Sequence, residues 1–344
     1  MSLPILTDDS IAKFPEDLHK RNHARLMILH RDTGQIEHKN FVDIIDYFKS
    51  GDVIVGNDVN ILPNVLLCKG RGSNADTKMV LLRELNSSQK IWNVSIDSCR
   101  RIRSGCRLFF ECNEMTAEVL DNIAQKTKIV KFDITSEEQF YDIVEKLAKI
   151  QLPKQMNRQS TYDDTNWLRS VYAGNKHSVI FDISGLHFTN KIIVQMKLKN
   201  VSFVTLTYVG EPRVTIGGKF LFDGGEVFSG YCDIGNNVLE KVAEAKGKKN
   251  KVCAVGNYTM NSLELLVNLN PKMLKKKTLI DVRNIKKYDI SICDMLLTNF
   301  YPLKSEQTNN ISLFCPRDLL ELAYNEAINK KYKFLTYGDS LLIV

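Results

Sequence analysis

His187 stands in the block Ser184-Gly185-Leu186-His187-Phe188-Thr189. Imidazole is the side chain that most readily trades a proton near neutral pH, so His187 is the first acid/base candidate. The alternative is a histidine that hydrogen-bonds the backbone and shapes its loop. Gly185 suits a tight turn between strand and helix, and Thr189 or Asn190 can cap the helix that follows. The free N–H groups of such a helix start can hold a carboxylate, or simply be capped. Near the C-terminus, Tyr337-Gly338-Asp339-Ser340 offers a carboxylate that either orients a partner or closes a turn ahead of the last strand. Asn299, in Leu296-Leu297-Thr298-Asn299-Phe300, can donate and accept at once. Thr205 adds a hydroxyl, Glu264 a second carboxylate and Arg158 a guanidinium suited to phosphate.

Metal chemistry finds little footing. The eight cysteines (Cys68, Cys99, Cys106, Cys112, Cys232, Cys253, Cys293 and Cys315) form no Cys-x-x-Cys pair and read as free thiols in a reducing compartment. His19 and His23 are four apart, but no third ligand accompanies them. Gly217-Gly218 and Gly224-Gly225 flank Phe220-Leu221-Phe222 without the Gly-Lys-Ser/Thr of a phosphate loop, and read as a hairpin or mobile loop.

These residues need elements to position them. Arg25 to His30 reads as a strand, Asp32-Thr33-Gly34 as a turn, and Gln35 to His38 as the returning strand. Phe41, Ile44, Ile45 and Phe48 recur at helical spacing and end at Gly51, with a strand from Asp52 to Val55. From about Leu62 to Phe132 the chain changes to short strand-like runs parted by Gly, Asn and Ser, which suggests a small barrel. Helices and strands then alternate again. Phe140, Ile143, Val144 and Leu147 make one helical stripe, and Leu319, Leu322, Ala323 and Ala327 another after Pro316. The expected fold is therefore an α/β main domain with a mixed sheet, spanning 1–61 and 150–344, plus an inserted β-barrel domain with a trailing helix at 62–149.

No apolar run approaches the ~18 residues of a membrane span, and no secretory leader is visible at Met1-Ser2-Leu3-Pro4. A cytoplasmic, monomeric protein without membrane attachment is expected. The net charge of +7 is gathered into clusters at Arg100, Arg101, Arg103 and Arg107, at Lys246 to Lys251, at Lys272 to Lys277, at Lys286-Lys287 and at Lys330 to Lys333. Such clusters permit a nucleic-acid partner; solvated helix ends are the plainer reading of each alone.

The ordered set of blocks resembles the S-adenosylmethionine:tRNA ribosyltransferase-isomerases of the queuosine pathway. The resemblance runs from Arg25-Leu26-Met27-Ile28-Leu29 and Gly51-Asp52-Val53-Ile54-Val55, through Leu152-Pro153 with Arg158 and Val171-Tyr172-Ala173, to the His187 block, Phe203-Val204-Thr205-Leu206, Ala254-Val255-Gly256, Leu263-Glu264, the Asn299 block and the Asp339 block. It implies a small barrel inserted into an α/β domain. It implies that S-adenosylmethionine is a substrate, tRNA the partner, and no metal is needed. The ribosyl group would pass to 7-aminomethyl-7-deazaguanine at the wobble position, with rearrangement to epoxyqueuosine. His187 and Asp339 are then the catalytic candidates. Gly185, Leu186, Phe188, Thr189, Thr205, Asn299, Phe300, Tyr337, Gly338, Glu264 and Arg158 are the substrate-binding ones. Several positions differ from the family pattern: Asp182-Ile183-Ser184 replaces Pro-Thr-Ala, Tyr301 follows Asn299-Phe300 in place of His, and Asp58 and Asn261 stand in stretches where the family has an Arg. An impaired nucleoside- or RNA-binding paralogue, and an enzyme for another nucleoside, remain the alternatives.

Overall fold

The computed structural model describes residues 6–15, 17–70, 75–97, 102–111, 114–122, 127–174, 176–180, 182–212, 227–268, 278–281, 290–303 and 305–344. The glycine pairs at 217–218 and 224–225, the lysines of 272–277 and 286–287, Arg100, Arg101, Cys99, Cys112 and the side chain of His19 lie outside the description.

β1 (Arg25–Leu29) and β2 (Ile36–Asn40) pair antiparallel across a turn in which Gly34 takes φ +72°. The stretch Phe41–Tyr47 is a 3-10 helix rather than the α-helix its apolar spacing suggests, with Phe41 and Ile44 buried. Three residues per turn bring i and i+3 onto one face, which these two positions need. β3 (Val53–Asn57) and the short β4 (Asn60–Ile61) follow.

The next six strands close a barrel: β5 (Val65–Gly70), β6 (Thr77–Asn86), β7 (Ile91–Ile96), β8 (Arg107–Phe110), β9 (Thr116–Asn122) and β10 (Thr127–Phe132), in the order β10-β7-β6-β5-β8-β9. Alternation decides which side chains face inward. Leu66 and Cys68 of β5 are buried while Leu67 is 52% exposed. Helix α1 (Glu137–Leu147) docks on this barrel through Phe140, Ile143 and Val144, with Phe140 5.0 Å from Phe132 and 5.7 Å from Trp92 between ring centroids. Ser136 caps it, accepting from Gln139 N, and Glu137 and Glu138 complement its dipole.

The chain then returns with α2 (Tyr162–Trp167), β11 (His177–Ser178), a 3-10 turn at Ile183–Gly185, α3 (Asn190–Leu198), β12 (Ser202–Pro212), β13 (Val227–Asp233), α4 (Asn236–Gly247), β14 (Val252–Val255), α5 (Asn257–Asn268), β15 (Thr278–Asp281), β16 (Met295–Asn299), α6 (Glu306–Phe314), α7 (Arg317–Asn329) and β17 (Ser340–Ile343). Nine described strands form one mixed sheet, ordered β15-β13-β12-β3-β14-β16-β17-β1-β2. β12, β3, β14 and β16 run parallel, and β17 is antiparallel to β16. Helices cover both faces, so the central strands are apolar throughout: Met27 and Leu29 enter one core, Leu26 and Ile28 the other. In α7 the buried stripe is Leu320, Ala323, Tyr324 and Ala327: the expected Ala323 and Ala327 are in it, but Leu320 and Tyr324 join them and Leu322 is 49% exposed. Small Ala and large Tyr side chains fill the space against Phe300 and Phe334, a packing fit that periodicity alone does not encode.

Candidate active site

Because β3, β12, β14 and β16 are parallel, their carboxyl ends share one edge of the sheet, and the antiparallel β17 brings its amino end there. Ligands of open α/β sheets bind outside this edge. Most of the polar residues singled out above gather at it.

His187 is 1% exposed. Its Nδ1–H donates to the Arg21 carbonyl at 3.0 Å, and its ring lies 5.2 Å from Phe41 and 6.0 Å from Trp167. Burial pushes its pKa down to about 4, with the Arg21 carbonyl and the Gly338 backbone opposing the drop and the Arg21 charge reinforcing it. It is therefore neutral at pH 7. The Arg21 guanidinium is itself buried and donates to the Arg169 and Trp167 carbonyls at the end of α2. His187 thus joins the N-terminal arm, the end of α2 and the loop before β17.

This joint has a pH signature. A histidine whose pKa is lowered by folding supplies stability that is complete above 6.5 and lost as pH falls toward about 4, because the unfolded chain takes up the proton first. Replacing His187 by Gln keeps a donor for the Arg21 carbonyl and removes the titration. Urea unfolding is expected to show the wild type losing about 2 kcal/mol more than His187→Gln between pH 7 and pH 5. Parallel pH curves for the two proteins would refute the assignment.

Beside this joint lies a second network. Asp164, with no exposed side-chain surface, takes both Arg158 Nη atoms at 2.8 and 2.6 Å, the Thr161 amide at 2.6 Å and the Tyr337 hydroxyl. Burial would raise the Asp164 pKa, but the hydrogen bonds from Arg158 and Tyr337 outweigh it and hold it below the usual carboxylate range. Tyr337 stands edge-on to Trp167 at 5.0 Å. Arg158 and Tyr337, far apart in sequence, thus meet through a residue the sequence reading passed over. The guanidinium expected to grip phosphate is here paired with a carboxylate.

Asp339 accepts from the Arg25 and Lys333 amides, each at 2.8 Å, and its own amide donates to the Lys333 carbonyl. It ties β1 to the loop before β17. Gly338 packs so closely that a Cβ there would lie 2.4 Å from the Lys333 carbonyl oxygen. Glu264 is fully buried and accepts from three successive amides, those of Ser291, Ile292 and Cys293, at 2.7 to 3.2 Å. It fixes the lead into β16. Thr205 donates to Asp58 Oδ2 at 3.0 Å and Thr207 to Oδ1 at 2.7 Å. Thr189 caps α3, accepting from Ile192 N at 3.3 Å. Leu186, Phe188 and Phe300 are core residues: Phe188 packs between Phe41 and Phe203, and Phe300 among Tyr324, Tyr332 and Phe334.

At the middle of the edge the polar groups are less satisfied. Asn299 and Asn261 are at most 1% exposed, and neither their amide nitrogens nor their side-chain oxygens find a hydrogen-bond partner among the described residues. Ser340, which pairs with Asn299 across β16 and β17, and Thr259 likewise have unbonded hydroxyls. Buried polar groups in this condition are rare and costly, and they cluster where a ligand is to be met. Gly185 lets the Tyr172 hydroxyl come within 1.7 Å of where a Cβ would stand. Gly256, at φ +93°, gives the same room to the Asp182 carboxylate. Asp182, Tyr172 and Tyr301 stand in the matched blocks but are not among the expected site residues, and Tyr258 is not singled out. The available signal is that Asp182 and Tyr301 sit inside matched blocks yet differ from their pattern.

Of the basic clusters, Lys246 is paired with Asp294 at 2.8 Å, Lys248 with Glu244 at 2.7 Å, and Arg107 lies 3.6 Å from Asp133. These three members of the clusters are thus balanced by acids. The described cysteines are free thiols. Among the described residues no helix is long and apolar enough to cross a membrane, and no group of three metal-ligating side chains occurs.

A parallel-centred sheet, a grafted antiparallel barrel and a polar, partly unsatisfied carboxyl edge define an α/β ligand-binding enzyme fold. The queuosine biosynthesis protein family matches residues 5–343, and the chain belongs to it. It is 34% identical over 336 residues to the S-adenosylmethionine:tRNA ribosyltransferase-isomerase of Amoebophilus asiaticus, covering 97% of this chain and 96% of that protein. It is 34% identical over 353 residues to the enzyme of the same name from Flavobacterium psychrophilum, covering 98% and 97%. The crystal structure of the S-adenosylmethionine tRNA ribosyltransferase from Thermotoga maritima shares the fold, with a TM-score of 0.54, 23% identity and 99% of each chain covered.

Proposed function

We propose that this enzyme transfers and isomerises the ribosyl group of S-adenosylmethionine onto 7-aminomethyl-7-deazaguanine at the wobble position of tRNA, giving epoxyqueuosine and releasing adenine and methionine. The observation that carries this reading is similarity to enzymes of that name over 96–98% of each chain. The gathering of Asn299, Asn261, Ser340 and Thr259 at the carboxyl edge supports it, because their unbonded donors and acceptors suit a nucleoside's base and hydroxyls.

In this reading Asn299, Gly185 and the Gly256 turn line the substrate. His187, Tyr337, Asp339, Gly338, Thr205 and Arg158 hold the lining loops in register, and Glu264 positions the strand that delivers Asn299. A neutral histidine with a pKa near 4, packed between aromatic rings, is a weak proton acceptor, so we assign His187 the positioning role.

The test is to incubate the protein with S-adenosylmethionine and tRNA bearing the 7-aminomethyl precursor, then digest the tRNA and weigh its nucleosides. Epoxyqueuosine is the expected product. Tight binding of S-adenosylmethionine without product would instead select a binding paralogue.

A further inference from the structure

We propose that Asp182, set among Tyr172, Tyr258 and Tyr301, is the counter-ion for the sulfonium of S-adenosylmethionine. This rests on the reaction proposed above and names a recognition residue for it.

The carboxylate lies across the turn from β14 into α5. A Cβ at Gly256 would stand 1.5 Å from its Oδ2, so only glycine leaves it this seat. The Ser184 amide donates to Oδ1 at 3.2 Å. The other groups acting on it are the Ser184 side chain and the Tyr258 backbone, and none of them is cationic. Among the described residues no ion pair includes Asp182. A largely desolvated carboxylate with no cation of its own is costly to keep. Two other buried carboxylates are satisfied within the chain, Asp164 by Arg158 and Glu264 by three amides. Asp182 instead has an Oδ2 without a hydrogen-bond partner among the described residues, and it lies against the turn at the carboxyl end of β14.

Its neighbours are suited to a soft cation. The Asp182 charge reaches the phenols of Tyr172 and Tyr301, and the Tyr258 backbone bonds to the carboxylate, so three tyrosines border it. Carboxylate and aromatic π-systems together are what recognises onium groups, which offer no N–H to hydrogen-bond. Asp182, Tyr172 and Tyr301 each keep partial exposure, so the recess can be reached. Burial raises the Asp182 pKa to about 6, which still leaves it ionised at neutral pH.

The test compares dissociation constants for S-adenosylmethionine and S-adenosylhomocysteine, whose thioether sulfur is uncharged, in wild type, Asp182→Asn and Asp182→Ser. Wild type is expected to favour the sulfonium. Both variants are expected to lose about tenfold in S-adenosylmethionine affinity while the thioether binds as before, so its unchanged affinity also reports an intact fold. Equal losses for both ligands, or an unchanged ratio, would overturn the counter-ion role and leave the reaction assignment standing. Wild type that binds neither ligand would overturn both.

Discussion

Asp164→Ala is expected to be the most destabilising single substitution at this site, lowering unfolding free energy by about 3–5 kcal/mol. The side chain has no exposed surface and is the shared acceptor for Arg158, Thr161 and Tyr337. Its removal leaves a guanidinium that is only 12% exposed without its partner, along with an orphaned Thr161 amide at the start of α2. It also loosens Tyr337, and through Trp167 the His187 joint. Most of the cost is the stranded charge rather than the net worth of the pair, since two desolvated ions gain little over a well-packed apolar pair. A double variant, Arg158→Met with Asp164→Leu, should therefore be markedly more stable than Asp164→Ala. Urea unfolding of the three proteins decides this. A double variant no better than the single one would mean that the network matters for its hydrogen bonds to the backbone, not for its charges.

Glu264→Ala is expected to cost about 3 kcal/mol, the sum of several amides left without an acceptor, and also to lower turnover. The amides of residues 291–293 have Glu264 as their acceptor, and they lead directly into β16, whose carboxyl end carries Asn299 and then Tyr301. A strand that enters loosely delivers these side chains loosely, and small misplacements at a site are expensive in rate. Glu264→Gln should be only partly better, because its amide nitrogen would face donors. Unfolding midpoints and steady-state turnover check both halves. A Glu264→Ala protein of normal stability would show that these carbonyl-free amides find water instead.

Much of the architecture could be read before any coordinates. The inserted barrel announced itself through short strand-like runs between small polar turns, and the mixed sheet through alternation of apolar runs with helical stripes. Errors came where packing decides. Phe41 and Ile44 are compatible with either helix type, and α7 buries the expected Ala323 and Ala327 but also Leu320 and Tyr324, fitting Tyr324 against Phe300. The site was legible as a set of blocks but not as roles. His187, Asp339, Glu264 and Arg158 have the side chains of catalysts, yet each is hydrogen-bonded within the chain, and what a carboxylate or imidazole does depends on partners brought from elsewhere in the chain. Asp164 and Arg21, which complete those joints, carry no motif. The reverse error is more instructive. Asp182 and Tyr301 looked like losses when each block was compared with its pattern, and only the fold shows that the charge of one acts on the phenol of the other.

The most direct measurement of the central claim is product stoichiometry in a single-turnover reaction with S-adenosylmethionine and precursor-bearing tRNA. The account predicts one adenine and one methionine released for each epoxyqueuosine formed, and none of the three without that tRNA. Adenine released with no change in the tRNA, or a methylated tRNA with S-adenosylhomocysteine as by-product, would contradict it.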